Sequence, residues 1–416
     1  MAKNSDDKRK NPRTFQGRPI VTMKWNGQEV EAVQGAFVYR TTSKEKVSIE
    51  EAESALMVKV QNVTQPDELG IGLIYTDATL EAEQIIAAAD RWGPEVLWIE
   101  PVLIDHGTLI PNDTHFHQQW NLRDIKASGA WDIWSGDPAN VVLAVLDSGI
   151  PLENSALSHQ DLNDATRFFL GGDLVNYDDD PADDHGHGTH VAGIAAATTN
   201  NCTGIAGLWP GPLLVMKVFD ASITGSSETF KCGVFAAVRF AREHKANLII
   251  NYSGGGPAHK SKKTAIEHAN DNGALIVAAA GNHEVGNRII FPAAYSTECS
   301  NVMAVGAVND KHKRPAFASK GPEMTVVAPG VDIISSLPNY FVTLNSEKGV
   351  PTKYGSLSGT SQAAPLVSAL AALVWSKWPQ LTATQVRDKI IKSADRLPGS
   401  FNDFGHGMIN AQAALS

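Results

Sequence analysis

From about Asn121 to its end, the chain alternates short apolar runs with helical patterns, and few architectures accept that rhythm. Residues 141–146, 213–219, 248–252, 275–279 and 302–305 read as buried strands. Helical patterns stand between and after them, at 191–197, 229–244, 262–272, 361–375 and 384–393. Repeated strand-then-helix units predict an α/β domain with a central, mostly parallel sheet flanked by helices.

The N-terminal part has a different texture. Residues 1–19 are rich in Lys, Arg, Asn and Asp without periodicity, which predicts a mobile tail. Over 20–105, short alternating runs at 21–25, 55–60, 70–75 and 96–99 surround a helical stretch at 80–92, the pattern of a small α+β domain. A Pro- and Asp-containing stretch makes 106–120 a linker and entry segment, and leaves 121–416 as the main domain. No internal repeat is visible.

Composition removes several function classes. Lys and Arg number 35 against 45 Asp and Glu, a net charge of -10, so there is no electrostatic footprint for nucleic acid or an anionic membrane. No run approaches the 18 or so uninterrupted apolar residues of a membrane span. The first ten residues are charged and polar with no apolar stretch behind them, which predicts no secretory signal. Three cysteines, Cys202, Cys232 and Cys299, give an odd count without metal or disulfide spacing. A reducing, cytoplasmic compartment is the expectation.

Three motifs carry the chemistry. Asp147 ends the apolar run 141–146, where open α/β sheets collect functional groups, although an Asp capping a strand and starting a turn looks the same. Forty positions on (187 − 147), His187 lies in Asp184-His185-Gly186-His187-Gly188-Thr189-His190 at a helix entry. His185 and His190 are its rivals, and their spacing is not the i, i+4 pair of helical zinc sites. Ser361, in Ser358-Gly359-Thr360-Ser361-Gln362, opens a long apolar helix, the place of an exposed nucleophile and equally of an N-cap serine.

Taken jointly, Asp147, His187 and Ser361 in this order, each in a Gly-rich turn, resemble the subtilisin family of serine proteases. The likeness runs from about Pro111 to Leu415 through Asn251-Tyr252-Ser253-Gly254-Gly255-Gly256, Val277-Ala278-Ala279-Ala280-Gly281-Asn282, Phe291-Pro292-Ala293 and Gly405-His406-Gly407-Met408-Ile409-Asn410. It implies a serine endopeptidase working through an acyl-enzyme, with Ser361 as nucleophile, His187 as base, Asp147 as its orienting acid and Asn282 as oxyanion donor. A protein or peptide substrate would lie extended beside Ser253, Gly254 and Gly255, with Thr224, Gly225 and Ser226 on the other wall. Gly254, where the family often carries a larger residue, is expected to open the pocket.

Gln362 stands where the family usually has Met, which implies tolerance of peroxide. No cofactor is required for catalysis, and the resemblance implies a structural Ca2+ near Asp161 and Asn201. Residues 20–105 are expected to act as the enzyme's own inhibitor, released by cleavage between about Asp105 and Thr114. Two other readings stay open at this point, a catalytically silent binding module on the same fold and an esterase or acyl transferase using the same triad.

Overall fold

A computed structural model describes residues 14–42, 45–103, 110–282 and 287–416. The chain divides into two compact units, Met1–Gly107 and Thr108–Ser416.

In the first unit the strands are β1 (Thr14–Phe15), β2 (Arg18–Trp25), β3 (Gln28–Thr41), β4 (Val60–Val63), β5 (Ile71–Thr76) and β6 (Val96–Leu103). Two helices accompany them, α1 (Ile49–Leu56) and α2 (Ala82–Trp92). All pairings are antiparallel, and Trp25, Phe37, Tyr39, Leu56, Ile74, Ile85 and Ile99 form the core under the helices. Two expectations fail here. Strand structure begins at Thr14, so a tail drawn to residue 19 is too long, and its first thirteen residues lie outside the described ones. The run 55–60 is not a strand: Ala55 and Leu56 end α1, whose capping box joins Ser48 and Glu51, and Met57 stops it in the left-handed conformation.

The second unit opens with α3 (Trp120–Asp124) and α4 (Ala127–Ile133), then β7 (Val141–Asp147), the short hairpin β8 (Leu152–Glu153) and β9 (Ala156–Leu157), and β10 (Phe168–Asp173). Next come α5 (His187–Ala196), β11 (Leu213–Lys217), α6 (Ser227–Glu243), β12 (Asn247–Tyr252), α7 (Lys260–Asp271), β13 (Leu275–Ala279), β14 (Val302–Val308) and β15 (Val326–Pro329). The remainder comprises β16 (Ile333–Ser336), α8 (Thr343–Lys348), β17 (Tyr354–Leu357), α9 (Thr360–Lys377) and α10 (Ala383–Ser393) before the C-terminal turns.

Seven strands form one sheet in the order β10-β11-β7-β12-β13-β14-β15, every pair parallel. Successive side chains of a strand point to opposite faces, and β7 shows what covers each. Leu143 and Val145 pack with α5 and α9, while Val142, Ala144 and Leu146 pack with α6 and α7. Two covered faces are why these strands carry no polar alternation. The strands β10 and β15 and the β16–β17 hairpin were not among the predicted elements. Nor do residues 110–120 behave as a free linker. Asp113 is buried and accepts from the Asn200 N–H at 2.9 Å, and the His115 N–H donates to the Gly204 carbonyl at 2.7 Å.

Candidate active site

The carboxyl end of β7 carries the first of the three motif turns, and the other two open α5 and α9. Asp147 closes β7, wholly buried, and its Oδ1 accepts from the Ser148 N–H at 2.8 Å and from His187 Nδ1 at 2.7 Å. Its Oδ2 has no hydrogen-bond partner among the described residues. His187 starts α5, and its side chain keeps 14% of its surface exposed. Burial alone would push its pKa down, but the charge and hydrogen bond of Asp147, with the charge of Asp183, outweigh that and hold it above the ordinary imidazole value.

Sequence reasoning passed over Asp183, which fastens these two turns together. Its Oδ1 accepts from the N–H groups of His185 and Gly186 and from the Ser148 hydroxyl, and its Oδ2 from Thr189 N–H, so one buried carboxylate ties the turn before α5, the first turn of that helix and the Asp147 turn together. The two turns also approach closely. A Cβ at Gly188 would lie 2.5 Å from the Gly149 carbonyl oxygen, so only glycine fits there.

Ser361 is the second residue of α9. Pro365 has no N–H to give the Ser361 carbonyl, the bond an uninterrupted helix would make. That carbonyl accepts instead from Ser253 Oγ at 3.0 Å, while Ser361 Oγ donates to the Ser253 carbonyl, also at 3.0 Å. Asn251 Nδ2 donates to Ser253 Oγ at 3.0 Å, and Ser368 Oγ to Asn251 Oδ1 at 2.8 Å, so a buried polar chain anchors the start of α9 to β12.

Asn282, exposed after β13, has its Oδ1 held by Thr360 N–H at 2.9 Å and Thr360 Oγ1 at 3.0 Å. Both bonds assign the oxygen to Thr360 and leave the NH2 end to face the cleft. That cleft, of about 470 Å³, brings together His187, Ser361, Asn282, Ser253, Gly254 and Gly255. A nucleophile, a base with a raised pKa and an amide donor thus share one cavity, the set that acyl transfer requires.

The model of the subtilase family matches residues 139–407, which contain all of these groups. The chain belongs to the subtilase family. It is 33% identical over 388 residues to a thermophilic serine proteinase of Bacillus sp. strain AK1, covering 92% of this chain and 88% of that protein. Thermitase of Thermoactinomyces vulgaris is 34% identical over 308 residues, 73% of this chain and 99% of that one. Subtilisin DY of Bacillus licheniformis is 37% identical over 281 residues, 66% and 91% respectively. This subtilase is a serine endopeptidase, and its substrates are proteins.

Other predicted features of the subtilase cleft fall differently. Gly254 does not open the pocket. The Phe219 ring occupies the space it leaves, and a Cβ there would lie 2.4 Å from Phe219 Cζ. Thr224, Gly225 and Ser226 do not line the cleft; Ser226 caps α6, and Phe219 and Ile223 form that wall instead. Gln362 is buried beside Ser361, its Nε2 without a hydrogen-bond partner among the described residues.

At Asp161, where a Ca2+ is expected, the carboxylate is met by hydrogen-bond donors. Asn201 Nδ2 donates to its Oδ1 at 3.0 Å, and Ile205 N–H and the Tyr354 hydroxyl to its Oδ2 at 3.0 and 2.9 Å. Asn201 Oδ1 is itself taken by the Thr203 N–H at 2.8 Å. A calcium shell needs oxygen lone pairs pointing inward, and here donors point inward. As arranged, Asp161 and Asn201 do not fit the ion. Among the described residues, no group of three His, Cys, Asp or Glu side chains could hold a metal, and His185, His187 and His190 serve other ends. His190 is buried, and burial followed by the charge of His187 pushes its pKa down to about 3, which keeps it neutral.

Proposed function

We propose that in this subtilase Ser361 attacks the scissile carbonyl, with His187 as base and Asp147 as its orienting acid. The observation that carries this reading is the 2.7 Å contact of His187 Nδ1 with buried Asp147, at the foot of the cleft that holds Ser361 and Asn282. Because Asp147 engages Nδ1, the Nε2 lone pair of the neutral ring faces the cleft. Attack requires the Ser361 hydroxyl to leave the Ser253 carbonyl and give its proton to that nitrogen. The tetrahedral oxyanion takes hydrogen bonds from Asn282 Nδ2 and the Ser361 N–H, helped by the positive end of α9. His187 then returns the proton to the leaving amine, and water repeats the cycle on the acyl-enzyme. Neither the binding-module nor the esterase reading gains an observation from the fold, the cleft or the relatives.

The first unit acts on the second as inhibitor and is removed by cleavage. Its separate core supports this, as does its position ahead of the matched region. The cut falls before Pro111, since Pro111 and Asp113 are buried whereas Ile110 is exposed. Residues 104–109, which hold half of the expected cleavage range, are outside the described ones. The three cysteines are all unpaired, which supports a reducing compartment and cytoplasmic function.

A serine-directed phosphonate probe tests the reading, applied to wild type and Ser361→Ala with casein turnover measured alongside. Wild type is expected to label and to cleave casein, and Ser361→Ala to do neither. Mass spectrometry of the same samples is expected to find a new N-terminus shortly before Pro111 in wild type alone. Labelling that survives Ser361→Ala would overturn the assignment of the nucleophile, and full activity of the uncut chain would remove the inhibitory role of the first unit.

A further inference from the structure

Between β16 and β17 the chain makes an excursion that is larger than a hairpin needs, and it builds α8 against the turn of the catalytic histidine. The Leu344 N–H donates to the His185 carbonyl at 3.0 Å, the Thr343 N–H to the Asp184 carbonyl at 3.3 Å, and the Tyr340 hydroxyl to the Asp183 carbonyl at 3.0 Å. Val342 sits so close that a Cβ on Gly186 would meet its Cγ2 at 3.0 Å. Three hydrogen bonds and this packing fix α8 relative to His187, and Leu344, Glu347 and Lys348 line the cleft.

Glu347 is held from one side only. Its Oε2 lies 3.7 Å from Nε2 of His185, which is nearly buried, while the Glu347 side chain keeps 51% of its surface exposed. His185 Nδ1 accepts from the His187 N–H at 3.3 Å, so the proton of its neutral ring sits on Nε2 and points toward the carboxylate. Glu347 is the only carboxylate among the described residues that line the cleft, and Lys348 the only ammonium. Neighbours on a helix diverge by about 100°, so the two charges do not face one another. The rest of the described wall is apolar or uncharged apart from the two histidines.

We propose that Glu347 is a specificity-determining residue that receives a Lys or Arg side chain of the substrate, at a position within two residues of the scissile bond. A peptide laid past His187 must pass this carboxylate, whose remaining lone pairs are open to a cationic partner. The inference rests on the endopeptidase reading and adds the substrate class to it. Because Glu347 is half exposed, the preference is modest, roughly threefold to fivefold in kcat/KM, and weakens with salt.

The test uses the activated enzyme and matched fluorogenic peptides carrying Lys, Gln or Glu at each of the two positions on either side of the cleaved bond. Wild type is expected to favour Lys over Gln at one of them, more at low salt than at high. Glu347→Gln is expected to bring the Lys-to-Gln ratio close to one, and Glu347→Lys to turn it in favour of Glu. An unchanged ratio in Glu347→Gln, or a flat charge profile in wild type, would overturn the proposal. Phosphonate labelling of every sample separates the two levels. An enzyme that labels but shows no charge preference refutes the role of Glu347, whereas one that fails to label refutes the endopeptidase reading beneath it.

Discussion

The two units of this subtilase are both built on sheets, but they use them in opposite ways. Along β5 the buried residues alternate with half-exposed ones, Gly72, Ile74 and Thr76 against Ile71, Leu73 and Tyr75. Along β7 every residue is buried. A sheet covered on one face shows a broad wet surface, and its residues are divided between core and solvent. A sheet covered on both faces leaves only its strand ends open, and the parallel strands bring all their carboxyl ends to one edge. Asp147 lies on that edge and the turns of His187 and Ser361 gather around it. Chemistry has a place to collect in the second unit that the first does not offer.

The largest effect that could break this contrast comes from Asp147→Asn. The substitution preserves shape, but Asn presents its amide to Nδ1 and favours the wrong ring tautomer, so kcat should fall by about 10⁴. It also removes the charge that raises the His187 pKa. The base must be neutral to act, so wild-type activity is lost as pH falls through a value above that of an ordinary imidazole. In the variant, the residual activity should persist to lower pH. A pH profile of kcat/KM checks both statements. An acid limb at the same pH in both enzymes would mean that the strand-end carboxylate does not tune the base.

Asn282→Leu comes next. It keeps the approximate volume and removes the amide, so kcat should drop by about 10²–10³ with little change in KM, the pattern of a donor used only in the transition state. A rise in KM with kcat unchanged would instead make Asn282 a substrate-binding group.

How much of this was legible in the chain follows from the same contrast. The buried strands and the long helices of the second unit were readable because covering both faces forces apolar runs of strand length. The turns of Asp147 and His187 were readable because close backbone approach demands glycine at Gly149 and Gly188, and glycine leaves a visible mark. Asp183 was not, since a buried carboxylate that collects backbone N–H groups looks in sequence like any acidic turn residue; its only signal is its place four residues before His187. Phe219 escaped as well, because its ring fills the space over Gly254 from another strand end, and a gap in one motif says nothing of a distant side chain that occupies it. In the first unit, residues 55–60 misled because Ala55 and Leu56 alternate plausibly into Val58 and Val60, while the helix was written earlier, in Ser48 and Glu51.

That cap supplies the smallest and most local test of the comparison. Ser48 Oγ accepts from the Glu51 N–H at 3.1 Å, and the Ser48 N–H donates to Glu51 Oε2 at 2.8 Å, which starts a helix that buries Ala52, Ala55 and Leu56 in the core of the first unit. Ser48→Ala should destabilise that unit by about 1 kcal/mol. The bonds from Ser48 hold the Glu51 pKa below its ordinary value. Stability from a depressed carboxyl is present above its unfolded pKa and fades as pH falls through the folded one. Ser48→Ala keeps the backbone N–H, the larger cause, and removes only the share of the hydroxyl, so only that share of the difference from the parent should shrink in acid. The measurement is denaturant unfolding of the uncut chain in a Ser361→Ala background, followed at near-neutral and acidic pH. Independent units predict that only the transition of the first one moves, whereas a shift of equal size in the second would mean that the two sheets unfold as one body and that their contrast ends at chemistry.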